Sequence, residues 1–372
     1  MLGGCATVAG VPAASAAPPS WRTPPPLAPI RAEVDRIMNI TVCLRPFRAA
    51  GPRLDAETVG DKLVVHNYGH GGSGWSLSWG SGLIAVKTAL AGGAKDIAVI
   101  GCGALGLTAA TLAQRAGARV TIYAKERMPE VRSARATGLW TPDSRIGLES
   151  KVGPGFAALW EEMARNSFRV HQRYLGLADA PVEWTERYNL FDTPPESGPD
   201  ALGFVRYGER IRDLTPHSVE LPAGATPFPV AHVRRASLPM FNITEYGHVL
   251  MTDFLIGGGR IETMEFHTPA ELAALPQKVV INCTGYGARA LWKDESIVPV
   301  RGQLTWLIPQ PEVSYGLYYR GVGTVARRDG MIVQKTGADD SFGLNDDNEA
   351  PDRAEAEESV KVVAGLFARR GA

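Results

Sequence analysis

The chain has 372 residues, of which 45% are hydrophobic and 21% charged, and its 39 basic side chains balance 39 acidic ones. This length allows two domains with buried cores, and the even charge gives no reason to expect nucleic acid or an anionic membrane surface as a partner. No run reaches the ~18 to 20 apolar residues that a membrane-spanning helix needs, and the four cysteines show no zinc-binding spacing.

The first 33 residues predict a segment outside the folded core. Residues 2–5 (LGGC) resemble the cleavage box of a bacterial lipoprotein signal, and residues 6–29 are rich in Ala and Pro, as in an extended tether. We therefore expect export in a bacterium, to the periplasm or to a lipid anchor on Cys5. The alternative is a cytoplasmic protein whose N-terminal segment is not a signal remnant.

Two elements are predicted before residue 95. Residues 37–44 (IMNITVCL) have the β-branched composition of a strand. A glycine-dense stretch at 66–74 then leads into a predicted helix from Trp75 to Leu90, which the following Gly-Gly pair ends.

The strongest local motif follows. A predicted strand at 97–100 precedes GCGALG at 101–106, a helix starting near Ala104 and a second strand at 119–123. Such glycines allow a tight turn, a close approach of the backbone to a pyrophosphate and close helix–strand packing, and the helix N-terminus attracts the phosphates. The motif predicts a dinucleotide, either FAD or NAD.

An acidic residue about 20 positions after such a motif binds a ribose hydroxyl in dinucleotide-binding proteins. Glu126 stands at that spacing from Gly106, with Lys125 beside it, and either residue is a candidate for this contact.

The rest of the chain predicts a covering domain and a return to the first one. Residues 150–275 are mixed and interrupted by Pro/Gly turns, residues 279–281 form a buried strand, and Val360, Val363 and Phe367 recur at helical spacing.

Five segments together resemble the D-amino-acid oxidase family of FAD-dependent oxidoreductases. They are CLRPFR at 43–48, HNYGHGGSGWS at 66–76, RSARATGLWTP at 132–142, VINCTG at 280–285 and RGQ at 301–303. In that family the first two segments follow the substrate domain, whereas here they precede the dinucleotide motif. This order indicates a circular permutation, which is feasible where chain termini lie close together.

The resemblance implies an α/β fold in which a Rossmann-type FAD-binding domain is joined to a mixed-sheet α+β substrate domain. The implied divisions are a tether at 1–33, the FAD-binding domain at 34–150 and 279–303, the substrate domain at 151–278 and 304–342, and a C-terminal helix at 343–372 packed on the FAD-binding domain.

The resemblance also implies the cofactor contacts. The glycine-dense stretch at 66–74 is a second glycine loop at the cofactor. The helix that follows it from Trp75 directs its positive end toward the flavin edge that becomes anionic on reduction. The residues expected at FAD are Gly101, Cys102, Gly103, Ala104, Leu105, Gly106, Lys125, Glu126, Arg132, Ser133, Thr137, Gly138, Leu139, Phe266, Gly71, Gly72, Ser73, Gly74, Trp75 and Ser76.

For the substrate, the resemblance implies that Arg45 holds a carboxylate with two parallel hydrogen bonds, beside Gly72. The alternative for Arg45 is a structural salt bridge. The family covers its substrate with tyrosines, and Tyr318 and Tyr319 are the candidates for a catalytic position here. Thr324 stands nearer the position of the family's tyrosines and is a substrate-binding candidate. The alternative for either tyrosine is a place in the hydrophobic core. Thr141 replaces a longer polar residue and is a further substrate-binding candidate.

The implied reaction passes the Cα hydrogen of a D-amino acid to the flavin, reduces oxygen to hydrogen peroxide and leaves an imino acid that hydrolyses to a 2-oxo acid and ammonia. The sequence leaves three alternatives open: an oxidase or dehydrogenase of another small amine such as glycine or a secondary amino acid, an exported flavin-binding protein without efficient turnover, and an NAD-dependent enzyme.

Overall fold

The computed structural model describes residues 27–195 and 202–368. The lipoprotein-like box at Cys5 and most of the Ala/Pro-rich tether lie outside these residues. The end of the expected tether at 1–33 differs from the expectation, because Ile30 and Ala32 are buried in an apolar cluster of the core. No helix within the described ranges is long and apolar enough to cross a membrane. The same ranges contain no group of three or more His, Cys, Asp or Glu side chains that could hold a metal ion.

The elements are as follows. The strands are β1 (Ile37–Arg48), β2 (Ala56–Val59), β3 (Lys62–His66), β4 (Asp96–Ile100), β5 (Arg119–Ala124), β6 (Val182–Phe191), β7 (Val219–Glu220), β8 (His232–Phe241), β9 (Arg260–Thr263), β10 (Val279–Asn282), β11 (Ile297–Leu307), β12 (Tyr315–Tyr319), β13 (Val322–Arg327) and β14 (Gly330–Lys335). The α-helices are α1 (Gly74–Leu90), α2 (Ala104–Arg115), α3 (Phe156–His171), α4 (Ile243–Ile256), α5 (Ala288–Leu291) and α6 (Arg353–Ala368). Each strand and helix that the sequence predicts is present, within a few residues of its expected bounds.

The first sheet has the order β2-β3-β10-β4-β5-β9, and all its pairs are parallel except the edge pair β2–β3. The β4–α2–β5 unit at its centre is the predicted dinucleotide unit. Strands β4 and β10 are buried almost throughout, as expected where helices cover a parallel sheet. This sheet confirms the Rossmann-type α/β prediction.

Helix α1 packs on β3 and β10 of this sheet and crosses very close to α3. A methyl group on Gly80 of α1 would overlap the backbone carbonyl of Met163 in α3. At the same crossing, the amide of Gly80 donates to Ser167 Oγ at 2.7 Å. A side chain at position 80 would therefore separate the two helices, which explains a glycine in the interior of a buried helix.

The second sheet is mixed, with the order β1-β11-β14-β13-β12-β6-β8-β7. Strands β1 and β11 pair antiparallel along nearly their whole length, while β12 pairs parallel with β6. The tyrosines, valines and leucines on one face of this sheet pack against α6. It corresponds to the expected substrate-domain sheet.

Three expected assignments differ from the structure. Strands β1 and β11, expected in the FAD-binding domain, belong to the second sheet, and β9, expected in the substrate domain, is an edge strand of the first. Helix α6 packs through Val360 and Val363 on the second sheet rather than on the FAD-binding domain. These differences arise because sheet membership depends on partners far away in sequence.

Candidate active site

A cavity of about 690 Å³ lies at the carboxyl edge of the first sheet and continues to the second. The segments that follow β3, β4, β5, β9 and β10 all contribute to its wall. Because the carboxyl ends of parallel strands meet at one edge, open α/β sheets bind their ligands there. The volume is in the range of pockets that enclose small molecules.

The loop after β4 is built for a close approach to a ligand. Gly101 has a φ of +99°, and a Cβ there would lie 2.6 Å from the carbonyl oxygen of Cys283. A Cβ on Gly106 would overlap the carbonyl oxygen of Gly101 itself. Helix α2 begins directly after this turn, so its N-terminal amides and positive dipole end face the cavity.

A second glycine loop lies between β3 and α1. Gly71 has a φ of +53°, and a methyl group there would overlap the backbone carbonyl of Arg145. The hydroxyl of Ser73 donates to the carbonyls of Thr141 (3.1 Å) and Ser144 (2.9 Å), which ties the loop to the opposite wall. The start of α1 at Gly74 thereby lies at the cavity.

The side chain of His70 in this loop forms no hydrogen bond within the described residues. Its ring is buried, and neither ring nitrogen has a hydrogen-bond partner there. Burial lowers the pKa of His70 to about 3, so that the ring is neutral at physiological pH. A neutral imidazole at the wall, with unused hydrogen-bonding capacity, suits contact with a polar ligand.

Arg45 places a guanidinium in the cavity. It lies over Gly302 of β11, where a Cβ would overlap the guanidinium group. Its hydrogen bond is to the carbonyl oxygen of Arg301 at 3.1 Å, and no described carboxylate forms an ion pair with it. Burial, and to a smaller extent the positive charge of Arg145, lower the pKa of Arg45 to about 10.

Arg187 of β6 is a second arginine in the cavity wall. Its guanidinium stacks on the ring of Tyr318, 5.7 Å from the ring centroid. Its Nε is buried without a partner in the described part of the chain, and no described carboxylate pairs with it. Burial lowers the pKa of Arg187.

The other cationic side chains of the cavity wall bind to carbonyl or carboxylate groups of the protein itself. Arg135 donates to the carbonyl of Val42 at 3.2 Å. The remaining cations form ion pairs: Lys125 with Glu265 (3.3 Å), Arg132 with Glu349 (2.6 Å), Arg145 and Arg206 with Asp340 (2.8 and 2.6 Å), and Lys335 with Glu358 (2.9 Å). Arg45 and Arg187 therefore stand apart as cations with neither an ion pair nor several hydrogen bonds in the described structure.

Part of this chain is similar to one known protein family. Residues 96–239 match the family described as FAD dependent oxidoreductase. The match covers the residues from β4 to β8, which include the dinucleotide unit.

Two curated relatives that are similar to this chain are D-amino-acid oxidases. That of Streptomyces coelicolor is 31% identical over 210 residues, which cover 56% of this chain and 58% of the relative. That of Dictyostelium discoideum is 27% identical over 217 residues, 56% of each chain. The matches thus span less than two thirds of either relative. The solved L-amino acid deaminase from Proteus vulgaris superposes with a TM-score of 0.45 at 14% identity, covering 65% of this chain and 61% of that one.

The cavity fits FAD, the cofactor named in the description of the matching family. The turn at Gly101 and the N-terminus of α2 suit the pyrophosphate, and Glu126 at the end of β5 lines the cavity where a ribose hydroxyl would be bound. The second glycine loop and the start of α1 lie at the other part of the same cavity, with the unpaired ring of His70, and suit the flavin ring.

The cavity brings together most of the residues that the sequence predicts. Those in its wall are Arg45, Gly71, Gly72, Gly74, Trp75, Ser76, Gly101, Cys102, Gly103, Ala104, Leu105, Lys125, Glu126, Arg132, Ser133, Thr137, Gly138, Leu139, Thr141, Phe266, Tyr318 and Thr324. Their individual roles remain predictions.

Four of the predicted site residues form packing contacts or hydrogen bonds within the protein. Gly106 lies beneath the first loop and allows the close packing described above, and Ser73 holds the second loop in place. Tyr319 is buried away from the cavity, where its hydroxyl bonds Asp192, because neighbours on a strand point to opposite faces. The hydroxyl of Thr324 in the wall already accepts the amide of Leu317 at 2.9 Å.

The sequence did not single out Arg187 or Asp340. Arg187 lies in a strand without a glycine motif, and its place in the cavity depends on the pairing of β6 with β12, whereas Asp340 lies in the loop after β14. An arginine inside a ten-residue strand is a weak signal, because arginines are also common on exposed strand faces.

Proposed function

We propose that this protein is an FAD-dependent oxidoreductase that oxidises the Cα–N bond of a D-amino acid. Amino acid, oxygen and water are converted to a 2-oxo acid, ammonia and hydrogen peroxide. The observation that carries the proposal is the guanidinium of Arg45, which faces the FAD-binding cavity beside the second glycine loop without a carboxylate partner among the described residues. The relatives named D-amino-acid oxidase support the same reaction class.

The chain's own residues supply binding and orientation. Bound FAD supplies the acceptor for two electrons and one hydrogen. The planar guanidinium of Arg45 donates two parallel hydrogen bonds to the substrate carboxylate, which fixes the face of Cα that is presented. The ring of Tyr318 lies in the same wall and limits the space around the substrate. A carboxylate on Arg45 also neutralises a charge that burial destabilises.

The first experiment is the visible spectrum of the purified protein, followed by anaerobic mixing with D- and L-amino acids. We expect a yellow protein that releases FAD on denaturation and is bleached by D-amino acids but not by their enantiomers. Peroxide released per turnover in air then separates an oxidase from a dehydrogenase. A flavoprotein that no D-amino acid reduces would refute the proposal, and reduction by glycine or secondary amines alone would favour another amine oxidase.

We also propose that the motif order reflects a circular permutation. Strand β3 pairs with β10, and α1 packs on α2. Residues 37–90 therefore belong to the same folded core as the dinucleotide unit. Ile30 and Leu366 belong to one apolar cluster, which brings the two ends of the described chain together. A rearranged chain in which residues 27–92 follow residue 368 through a short linker should fold and bind FAD. Loss of FAD binding in that soluble chain would contradict the proposal.

A further inference from the structure

The second unpaired arginine has no part in the function proposed above. Arg187 lies in the cavity wall, half-buried, with its Nε unpartnered among the described residues. Burying a cation without a carboxylate is costly, and the protein does so here although several neighbouring cations are ion-paired. Such a cation is satisfied when a ligand brings an anion to it.

The sheet places Arg187 on the same side of the cavity as Arg45. Arg187 reaches past β12, so that its Nη2 lies 4.0 Å from the position of a Cβ on Gly323 in β13. The guanidinium of Arg45 lies over Gly302 in β11. Only β14 stands between β11 and β13 in the sheet.

The separation of the two guanidinium groups follows from this order. Two inter-strand spacings correspond to about 10 Å, before any offset along the strands. A carboxylate bound end-on to each guanidinium occupies part of that distance, and the remainder suits the short carbon chain of one small molecule.

We propose that Arg187 binds an anionic group at the end of the substrate side chain, so that the site prefers D-amino acids with an acidic side chain. The proposal rests on Arg45 binding the α-carboxylate. An apolar side chain in this position would leave the guanidinium of Arg187 buried and unpaired, and a site that leaves a buried polar group unpaired discriminates strongly against such a substrate.

The substrate pair that tests this is D-glutamate and D-norvaline, which have the same number of chain carbons and differ in a terminal carboxylate. In the wild type we expect kcat/KM to be at least about 30-fold higher for D-glutamate. Glutarate should likewise displace substrate at lower concentration than pentanoate. This second measurement needs no variant and no turnover of the competing ligand.

The variant is Arg187→Met, which keeps the apolar stem. It should lower kcat/KM for D-glutamate by roughly 30- to several-thousand-fold and leave that for D-norvaline unchanged or higher. The tight binding of glutarate should fall to the level of pentanoate. Arg328→Met is the matched control, because Arg328 is an exposed arginine paired with Glu183 and is absent from the cavity wall; both preferences should persist in it.

The outcomes are distinguishable from failure of the proposed function. If D-norvaline and other D-amino acids reduce the flavin but the wild type shows no preference for D-glutamate or glutarate, the inference about Arg187 is overturned and the oxidase proposal stands. Equal losses for both substrates in Arg187→Met would also overturn it. If the variant does not fold, the wild-type competition between glutarate and pentanoate decides.

Discussion

Replacing Arg45 by methionine tests the centre of the site. The side chain has a hydrogen bond of 3.1 Å to the carbonyl of Arg301 and no described carboxylate partner, so its charge is available to a ligand. Removing one member of a buried, hydrogen-bonded charge pair costs about 2 to 5 kcal/mol. At about 1.4 kcal/mol per factor of ten, kcat/KM for a D-amino acid should fall roughly 30- to several-thousand-fold.

The assay compares each D-amino acid with the amine that lacks its carboxylate. The loss should be confined to the carboxylate-bearing substrate, and Arg45→Lys should recover little, because an ammonium cannot reproduce the two-point contact. FAD content should be unchanged, since the loop at Gly101 is untouched. Arg328→Met, which removes an exposed arginine outside the cavity wall, should leave kcat/KM unaltered.

The ligand-free variant offers an independent readout. Since Arg45 is held without a carboxylate, its replacement by an apolar side chain of similar length should leave the melting temperature equal or higher. Equal losses for amino acids and simple amines, together with a lower melting temperature, would show that Arg45 supports the fold and does not bind the substrate.

Three further predictions follow from the same structure. Burial lowers the pKa of Arg45 to about 10, and only the charged form binds a carboxylate. The Kd of pentanoate, which carries a single carboxylate, should therefore be constant below that pKa in a flavin spectral titration and rise as the pH increases through it; a constant Kd up to pH 11 would contradict this. Gly106→Ala should abolish FAD retention in the purified protein, because the added methyl would overlap the carbonyl of Gly101, whereas retention of a full flavin spectrum would show that the loop can shift. The buried indole N–H of Trp79 donates to the hydroxyl of Tyr246 at 2.8 Å. Tyr246→Phe leaves this N–H unpaired and should lower the free energy of unfolding, measured in urea, by about 1 to 3 kcal/mol. An unchanged midpoint and slope of the urea transition would contradict this.

Local sequence was sufficient for the dinucleotide unit. The strand before Gly101, the helix from Ala104 and the acidic residue at 126 are all where the motif predicts them, within a residue or two. These features depend on backbone conformations and close approaches that only glycine permits, and such requirements act between residues that are near in sequence. The second glycine loop was predictable for the same reason, as was the start of α1.

Tertiary structure alone decided which segments share a sheet and which side chains share the cavity. Strand β1 was expected beside the dinucleotide unit, yet it pairs with β11, more than two hundred residues later, and carries Arg45 into the second sheet. Arg187 enters the same cavity because β6 pairs with β12 and turns one face toward it, while Tyr319, adjacent to Tyr318, points the other way. Strand pairing joins distant parts of the chain, and a shift of one residue reverses every side chain, so neither result is encoded in the local pattern.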